Sequence, residues 1–379
     1  MAAARVMKGP AAILFLTTET ELKGGGEFFL RDAVKGLAPF YRVICALPHE
    51  GGLARCLRGA GAQVVFLMPS WSYKGKHFFR NHIELRRAAA LLAGQHAGVV
   101  YANAGHVGPF AVRLASLLRR PCLVHVHDVF DREGQGKYLF EKADMVLACS
   151  RYVAASIGGC EGRLNVVYNG VDTGVFTPEI RMPHEGFKVG IMGSVNRKKG
   201  FFEFVSMAER LVARIPGVAF VAIGTPKPGD EDVLRQLEAD VGTRGLGSRF
   251  TWKGFSSAPQ CDLAGMDVLV VPSQYEAFGR VVPEAFACGT PVVATRSGGP
   301  EEIIEDGRNG LLRAVGDVEG LAEAVMSFHQ DPASCQRMAA AARADAVQRF
   351  SLGRMVTRLR EIIDALLKSE GTKGSREKP

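Results

Sequence analysis

Short continuous runs of Val, Ile, Leu and Ala alternate along the chain with longer stretches whose apolar residues recur every three or four positions. The runs are "AAILFLT" (11–17), "YRVICAL" (41–47), "AQVVFLM" (62–68), "AGVVYA" (97–102), "PCLVHVH" (121–127) and "DMVLACS" (144–150). Helix-period segments such as "EFFLRDAVKGLAPF" and "RNHIELRRAAALLAGQ" lie between them. Apolar strands separated by amphipathic helices predict a parallel sheet covered on both faces. The pattern then restarts with "FKVGIM" (187–192), "VAFVAIG" (218–224), "RFTWKGF" (249–255), "DVLVVPS" (267–273) and "PVVAT" (291–295). From Val318 onward the residues read as helical.

Between the two series lies "YNGVDTGVFTPEIRMPHEG" (168–186), whose Gly, Pro and turn residues read as a connection. The expected organisation is a Rossmann-like domain over 1–175, a linker over 176–186 and a second Rossmann-like domain over 187–350. A helix over 351–368 and a frayed polar tail over 369–379 complete it. Two doubly wound domains would leave a cleft between the carboxyl ends of their strands, where such folds take ligands.

Composition narrows the class. Of 379 residues, 47% are hydrophobic and 23% charged, which excludes a wholly disordered chain. No apolar run reaches the roughly 18 residues of a membrane span. Arg5 and Lys8 ahead of 11–16 imitate a signal peptide, but the run is short and reads better as a first buried strand. Eight cysteines stand singly, none in a CxxC pair. They read as small buried hydrophobes of a reducing, cytoplasmic compartment rather than as a zinc site or disulfide framework. The formal charge is +8, and residues 1–180 hold most of it: 21 Lys and Arg against 14 Asp and Glu, a net +7. That suits an acidic substrate or an anionic membrane face, and the chain has no nucleic-acid recognition signature.

The densest chemistry is "PSQYEAFGRVVPEAFACGTPVVATRSGGPEEIIEDGRNG" (272–310). A strand ends at Ser273, a loop carries Glu276, Gly279 breaks it, and a helix begins with Pro283 in its first turn. Gly279, Arg280 and Val281 would turn main-chain N–H groups toward an anion such as a diphosphate. Glu284 can then accept from two ribose hydroxyls, and Glu276 from a sugar hydroxyl beyond the phosphates. Taken alone, Glu284 also fits a carboxylate that balances the helix dipole.

This stretch resembles the retaining, nucleotide-sugar-dependent glycosyltransferases of family 4, and the resemblance runs along nearly the whole chain. It implies two Rossmann-like parallel-sheet domains facing across a cleft, the GT-B fold, with C-terminal helices crossing back to the first domain. It assigns Glu276 to the donor sugar and Glu284 to the ribose. In "VGIMGSVNRKKGFFEFV" (189–205), Lys199 would neutralise the leaving diphosphate. The family places Arg where this chain has Ser194, and Arg197 or Lys198 is expected to supply the missing charge. "ELKGGGEFFL" brings Gly25 and Gly26 to the start of a helix, facing donor phosphates in the family. A family histidine that meets the donor sugar matches His127 of "LVHVHDVF", leaving His125 as a buried, satisfied residue.

Two stretches keep two readings each. "PSWSYKGKHFFRNHIELRR" (69–87) mixes Trp71 and Tyr73 with Lys74, Lys76 and Arg80, which suits an acceptor or peripheral contact at the inner membrane face. It also fits an ordinary loop and helix start. The D-x-D of "GDED" (229–232) could hold a metal, but helix capping is the simpler account, so no metal and no cofactor are expected. The expected reaction moves a sugar from a nucleotide diphosphate to a hydroxyl, for cell-surface polysaccharide or glycolipid synthesis. The alternatives are a nucleotide-sugar epimerase on the same fold and an inactive binding subunit of a polysaccharide assembly complex. A dinucleotide-dependent oxidoreductase is disfavoured, because no G-x-G-x-x-G follows the first strand.

Overall fold

Strands that are hydrophobic throughout need cover on both faces, and the protein meets that need with two all-parallel sheets. The structure, a computed structural model, describes residues 11–67, 76–93, 95, 97–129, 142–158, 160, 162–181 and 183–373. The chain divides into two units. One takes the residues up to Gly170 and those from Leu352 onward; the other runs from Val171 to Ser351.

The first unit carries β1 (Ala12–Leu16), α1 (Gly25–Leu37), β2 (Arg42–Leu47), α2 (Gly52–Gly59), β3 (Gln63–Phe66), α3 (Lys76–Ala93) and β4 (Ala97–Ala102). It continues with α4 (Gly108–Leu118), β5 (Cys122–Val126), β6 (Met145–Ala148), α5 (Arg151–Ser156) and β7 (Leu164–Val166). The strand order is β3-β2-β1-β4-β5-β6-β7, so the sheet grows outward in both directions from the β1–β4 pair. A long C-terminal helix, Leu352–Lys373, closes the core. Its Met355, Val356, Leu359, Ile362, Ile363 and Leu366 are buried with Phe29, Val34 and Leu37 of α1 and Ile13 and Phe15 of β1. Gly36 allows the approach, since a Cβ there would stand 2.1 Å from Val356 Cγ2.

The second unit repeats the plan with β8 (Lys188–Met192), α6 (Phe201–Val212), β9 (Ala219–Ile223), α7 (Glu231–Thr243), β10 (Phe250–Gly254), α8 (Pro259–Ala264) and β11 (Val268–Val271). Then come α9 (Val281–Ala287), β12 (Val292–Thr295), α10 (Gly299–Ile303), β13 (Leu311–Arg313), α11 (Val318–Gln330) and α12 (Pro332–Arg349). The order is β10-β9-β8-β11-β12-β13. Phenylalanines 204, 220 and 250 cluster in its core with ring centroids 5.9–6.2 Å apart. Strand β13 has three residues and was not among the apolar runs, because so short an edge needs no long hydrophobic stretch.

The Gly- and Pro-rich stretch after Gly170 is tied into the second unit. Arg343 of α12 donates to the main-chain oxygens of Thr173 (3.0 Å), Phe176 (3.0 Å) and Ala287 (2.8 Å). Arg181 adds a bond of 2.5 Å to Asp267. The turn residues bend the chain there; they do not detach it.

All eight cysteines are free thiols, and Cys45, Cys122, Cys149, Cys160 and Cys288 are buried. Burial pushes the Cys288 thiol up to about 12, which keeps it protonated and unreactive. Among the described residues, no helix is long and apolar enough to cross a membrane.

Candidate functional site

In a doubly wound sheet, ligands gather where two adjacent strands send their connections opposite ways. In the second unit that place lies between β8 and β11, and their loops carry Lys199 and Glu276. Lys199 ends a 3₁₀ turn, Arg197–Lys199, which Asn196 opens by accepting from the Lys198 N–H at 3.0 Å. Gly200 follows in the left-handed region at φ 74°, and α6 departs from it.

Glu276 is held through its main chain on both sides. Its N–H donates to Ser297 O and its carbonyl accepts from Gly299 N–H, both at 2.8 Å. The side chain forms an ion pair through Oε2 with Lys199 Nζ, and the Ser273 hydroxyl donates to the same oxygen at 3.4 Å. The two charged side chains are 30% and 13% exposed, so the pair is shielded without being sealed from a ligand. Gly279, at φ 86°, keeps the loop clear, since a Cβ there would come within 3.0 Å of Glu276 Cγ. Val281 opens α9, and the Arg280 guanidinium just before it donates to Glu284 Oε1 at 3.1 Å. Ion pairs thus hold both glutamates, one from the loop after the neighbouring strand and one from the adjacent turn.

Arg197 does not join this group. Its guanidinium donates to Gln236 of α7 at 2.5 Å and lies 5.3 Å over the Phe202 ring. Lys198 points instead toward the Glu276 loop, with Nζ 5.0 Å from the centre of the Tyr275 ring. The Ser194 hydroxyl accepts from Asn196 at 3.1 Å. In "GDED", Asp230 makes no side-chain cap bond; Glu231 accepts from Gly229 N–H at 2.9 Å, and Asp232 pairs with Arg235. Among the described residues, no group of three or more His, Cys, Asp or Glu could hold a metal ion.

In the first unit the corresponding place lies between β1 and β4. Gly25 and Gly26 open α1 after β1, and a Cβ on Gly26 would meet His127 Cδ2 at 3.5 Å. Asn103, just past β4, joins the two: it donates to Gly26 O at 2.9 Å and meets His127 Nε2 at 3.3 Å. Sequence reasoning missed Asn103, although a polar residue at the end of an apolar strand was the signal that found His127. Of the acceptor candidates, Trp71, Tyr73 and Lys74 lie outside the described residues, and Lys76 and Arg80 fall in α3 with their side chains outside them.

His125 is fully buried, as expected, but only half satisfied. The Tyr101 hydroxyl lies 2.8 Å from its Nδ1, while Nε2 has no hydrogen-bond partner among the described residues. Burial, and then the charge of His127, whose tilted ring lies 4.0 Å away, hold this imidazole well below its ordinary value of 6.5. The unfolded chain takes this proton first, so the contribution is complete above about pH 6.5 and is lost as pH falls below it. The expected loss is up to about 1.4 kcal/mol per pH unit for one proton. His125→Gln should flatten the acid slope of urea-unfolding stability, leaving the part owed to His106, whose value burial also lowers. Equal slopes in both proteins would refute this assignment.

Comparison with known proteins bears on the family and the fold. A model described as Glycosyltransferase Family 4 matches residues 23–175, and one described as Glycosyl transferases group 1 matches residues 176–345. The lipopolysaccharide core biosynthesis glycosyltransferase LpsE of Rhizobium meliloti is 32% identical over 218 residues, 56% of this chain and 62% of that protein. Glycogen synthase of Mycobacterium tuberculosis is 32% identical over 213 residues, 54% of this chain and 50% of that protein. The chain therefore matches little more than half the length of these curated relatives. The solved structure of Anabaena Alr3699/HepE, in complex with UDP and glucose, shares the fold with a TM-score of 0.82. It is 24% identical, over 93% of this chain and 99% of that one. Two Rossmann-like units and two adjoining family matches lead to one conclusion: the chain belongs to glycosyltransferase family 4, with the GT-B fold.

Proposed function

We propose that the protein is a retaining glycosyltransferase that moves a sugar from a nucleotide diphosphate to a hydroxyl acceptor. The observation that carries this reading is the Lys199–Glu276 ion pair between β8 and β11, followed by the Arg280–Glu284 pair. A diphosphate brought to that place meets Lys199, which takes charge from the leaving group as the anomeric C–O bond breaks. Glu276, relieved of part of its ion pair, accepts from a sugar hydroxyl, and Glu284 accepts from the ribose. The acceptor oxygen bonds to the anomeric carbon, and its proton passes to the departing phosphate. A double displacement would need a carboxylate free to attack. Glu276 and Glu284 are both engaged by cations, which favours transfer without a covalent enzyme intermediate. In the first unit this reading gives His127 and the amides of Gly25 and Gly26 to the donor. The net +7 of residues 1–180 favours an acidic acceptor, in polysaccharide or glycolipid synthesis.

The test is a thermal-shift screen against nucleotide sugars, since a ligand of the folded state alone raises its stability. UDP-sugars come first, because the Anabaena structure holds UDP. A sugar that stabilises the protein should also be transferred, or slowly hydrolysed without acceptor, with its anomeric configuration kept in the product. Glu284→Ala should weaken UDP binding about tenfold or more, the worth of hydrogen bonds to a charged group. No stabilisation by any nucleotide sugar, or unchanged UDP affinity in Glu284→Ala, would count against the reading. Conversion of the donor sugar without transfer would point to the epimerase.

A further inference from the structure

We propose that Asn103 is a positioning residue that fixes His127 in its Nε2-protonated tautomer and ties the imidazole to the opening of α1. The constraint starts at Gly26, whose main-chain oxygen can only accept. The Asn103 side chain meets it at 2.9 Å, so the atom there is Nδ2, and it donates. The other end of the amide, Oδ1, is thereby turned to His127 Nε2 at 3.3 Å. An amide oxygen has only lone pairs to offer, so Nε2 carries the hydrogen. A neutral imidazole has one N–H, which places the lone pair of neutral His127 on Nδ1. A proton gained on acidification goes to Nδ1 as well.

The surroundings hold this arrangement in place. Asn103 is 3% exposed, so its amide has no water to turn toward. The His127 ring lies tilted against His125, with 4.0 Å between centroids, and is 4.9 Å from the centre of the Phe29 ring of α1. A Cβ at position 26 would stand 3.5 Å from the ring, ordinary van der Waals contact, so the imidazole packs directly against the opening of α1. The Nε2 hydrogen is therefore spent inside the protein, and the ring is oriented before any ligand arrives. A residue just past β4 that need touch no ligand thus couples the glycine turn after β1 to the histidine after β5. For catalysis this rests on the reading of His127 as a donor-facing residue; the tautomer itself does not.

The test is nitrogen NMR of histidine-labelled protein, in which protonated and unprotonated ring nitrogens are widely separated, with His127→Gln identifying the signals. In the native protein with His127 neutral, Nε2 should carry the hydrogen and Nδ1 should not. Asn103→Leu keeps the volume and removes both hydrogen bonds, and in it both tautomers should appear. The same variant should lower kcat for sugar transfer about tenfold or more with the donor KM little changed, as expected for a displaced but unremoved group. A hydrogen on Nδ1 in the native protein overturns the proposal without any variant. So does a single Nε2 tautomer surviving in folded Asn103→Leu. If the NMR result holds but His127→Gln transfers sugar normally, the placement of His127 in the reaction fails and the Asn103 constraint stands.

Discussion

Lys199→Ala is expected to lower the rate of sugar transfer by about 10²–10³-fold, the usual cost of losing one preorganised donor at a developing anion. Two effects of the single change add. On the proposed reading the leaving diphosphate loses the cation just before α6, and Glu276 loses the partner of its ion pair. Glu276 is 13% exposed, and a charge shielded to that extent is costly to leave without its counter-ion. Lys199→Arg keeps the charge but replaces a compact ammonium by a planar fork, and should recover only part of the rate. The measurement is kcat at saturating donor, with UDP affinity taken separately. A rate within a few-fold of native in Lys199→Ala would remove Lys199 from the reaction.

The second large effect is on stability. Gly200 lies at φ 74°, and a Cβ there would stand 2.0 Å from Pro272 O and 2.6 Å from Pro272 C. Both atoms are backbone, so no rotamer relieves the clash, and either α6 or the end of β11 has to move. Gly200→Ala is expected to cost the second unit about 3 kcal/mol or more, combining left-handed strain with displacement of packed backbone. Gly217 separates the two contributions, because it has nearly the same φ, 75°, with nothing within 4 Å of its would-be Cβ. Gly217→Ala should cost only about 1 kcal/mol, the left-handed strain alone. Urea unfolding of both variants checks the pair, and equal losses would show that the clash at Pro272 is absorbed cheaply.

The strands were legible because a parallel sheet buries both faces and leaves continuous apolar runs, as in "MVLACS" and "DVLVVPS". Strand ends, glycines and a family resemblance singled out Lys199, Glu276 and Glu284 as candidates, but not the pairing of Lys199 with Glu276. Lys199 and Glu276 stand 77 residues apart, and nothing local says that each neutralises the other. Arg197 and Lys198 are adjacent in a basic turn, and only the 3₁₀ geometry sends one to Gln236 and the other beside Tyr275. Arg343 sits in a helix whose composition carries no sign of the three carbonyls it holds, so the stretch it ties down read as a linker. Pairings made by topology rather than by local pattern are where reading along the chain stops.

The C-terminal helix has a consequence for how the molecule is born. Synthesis is directional, and domains usually fold as they emerge, the earlier before the later. Here the second unit is one contiguous stretch, Val171–Ser351, and has all of its core once that stretch is free. The first unit has its seven strands long before then, but a face of its core must wait for Met355, Val356, Leu359, Ile362, Ile363 and Leu366. The part made first is therefore completed last. In the interval Phe29, Val34 and Leu37 of α1 lack their final cover, and a nascent chain in that condition is a natural client for chaperones that bind apolar segments.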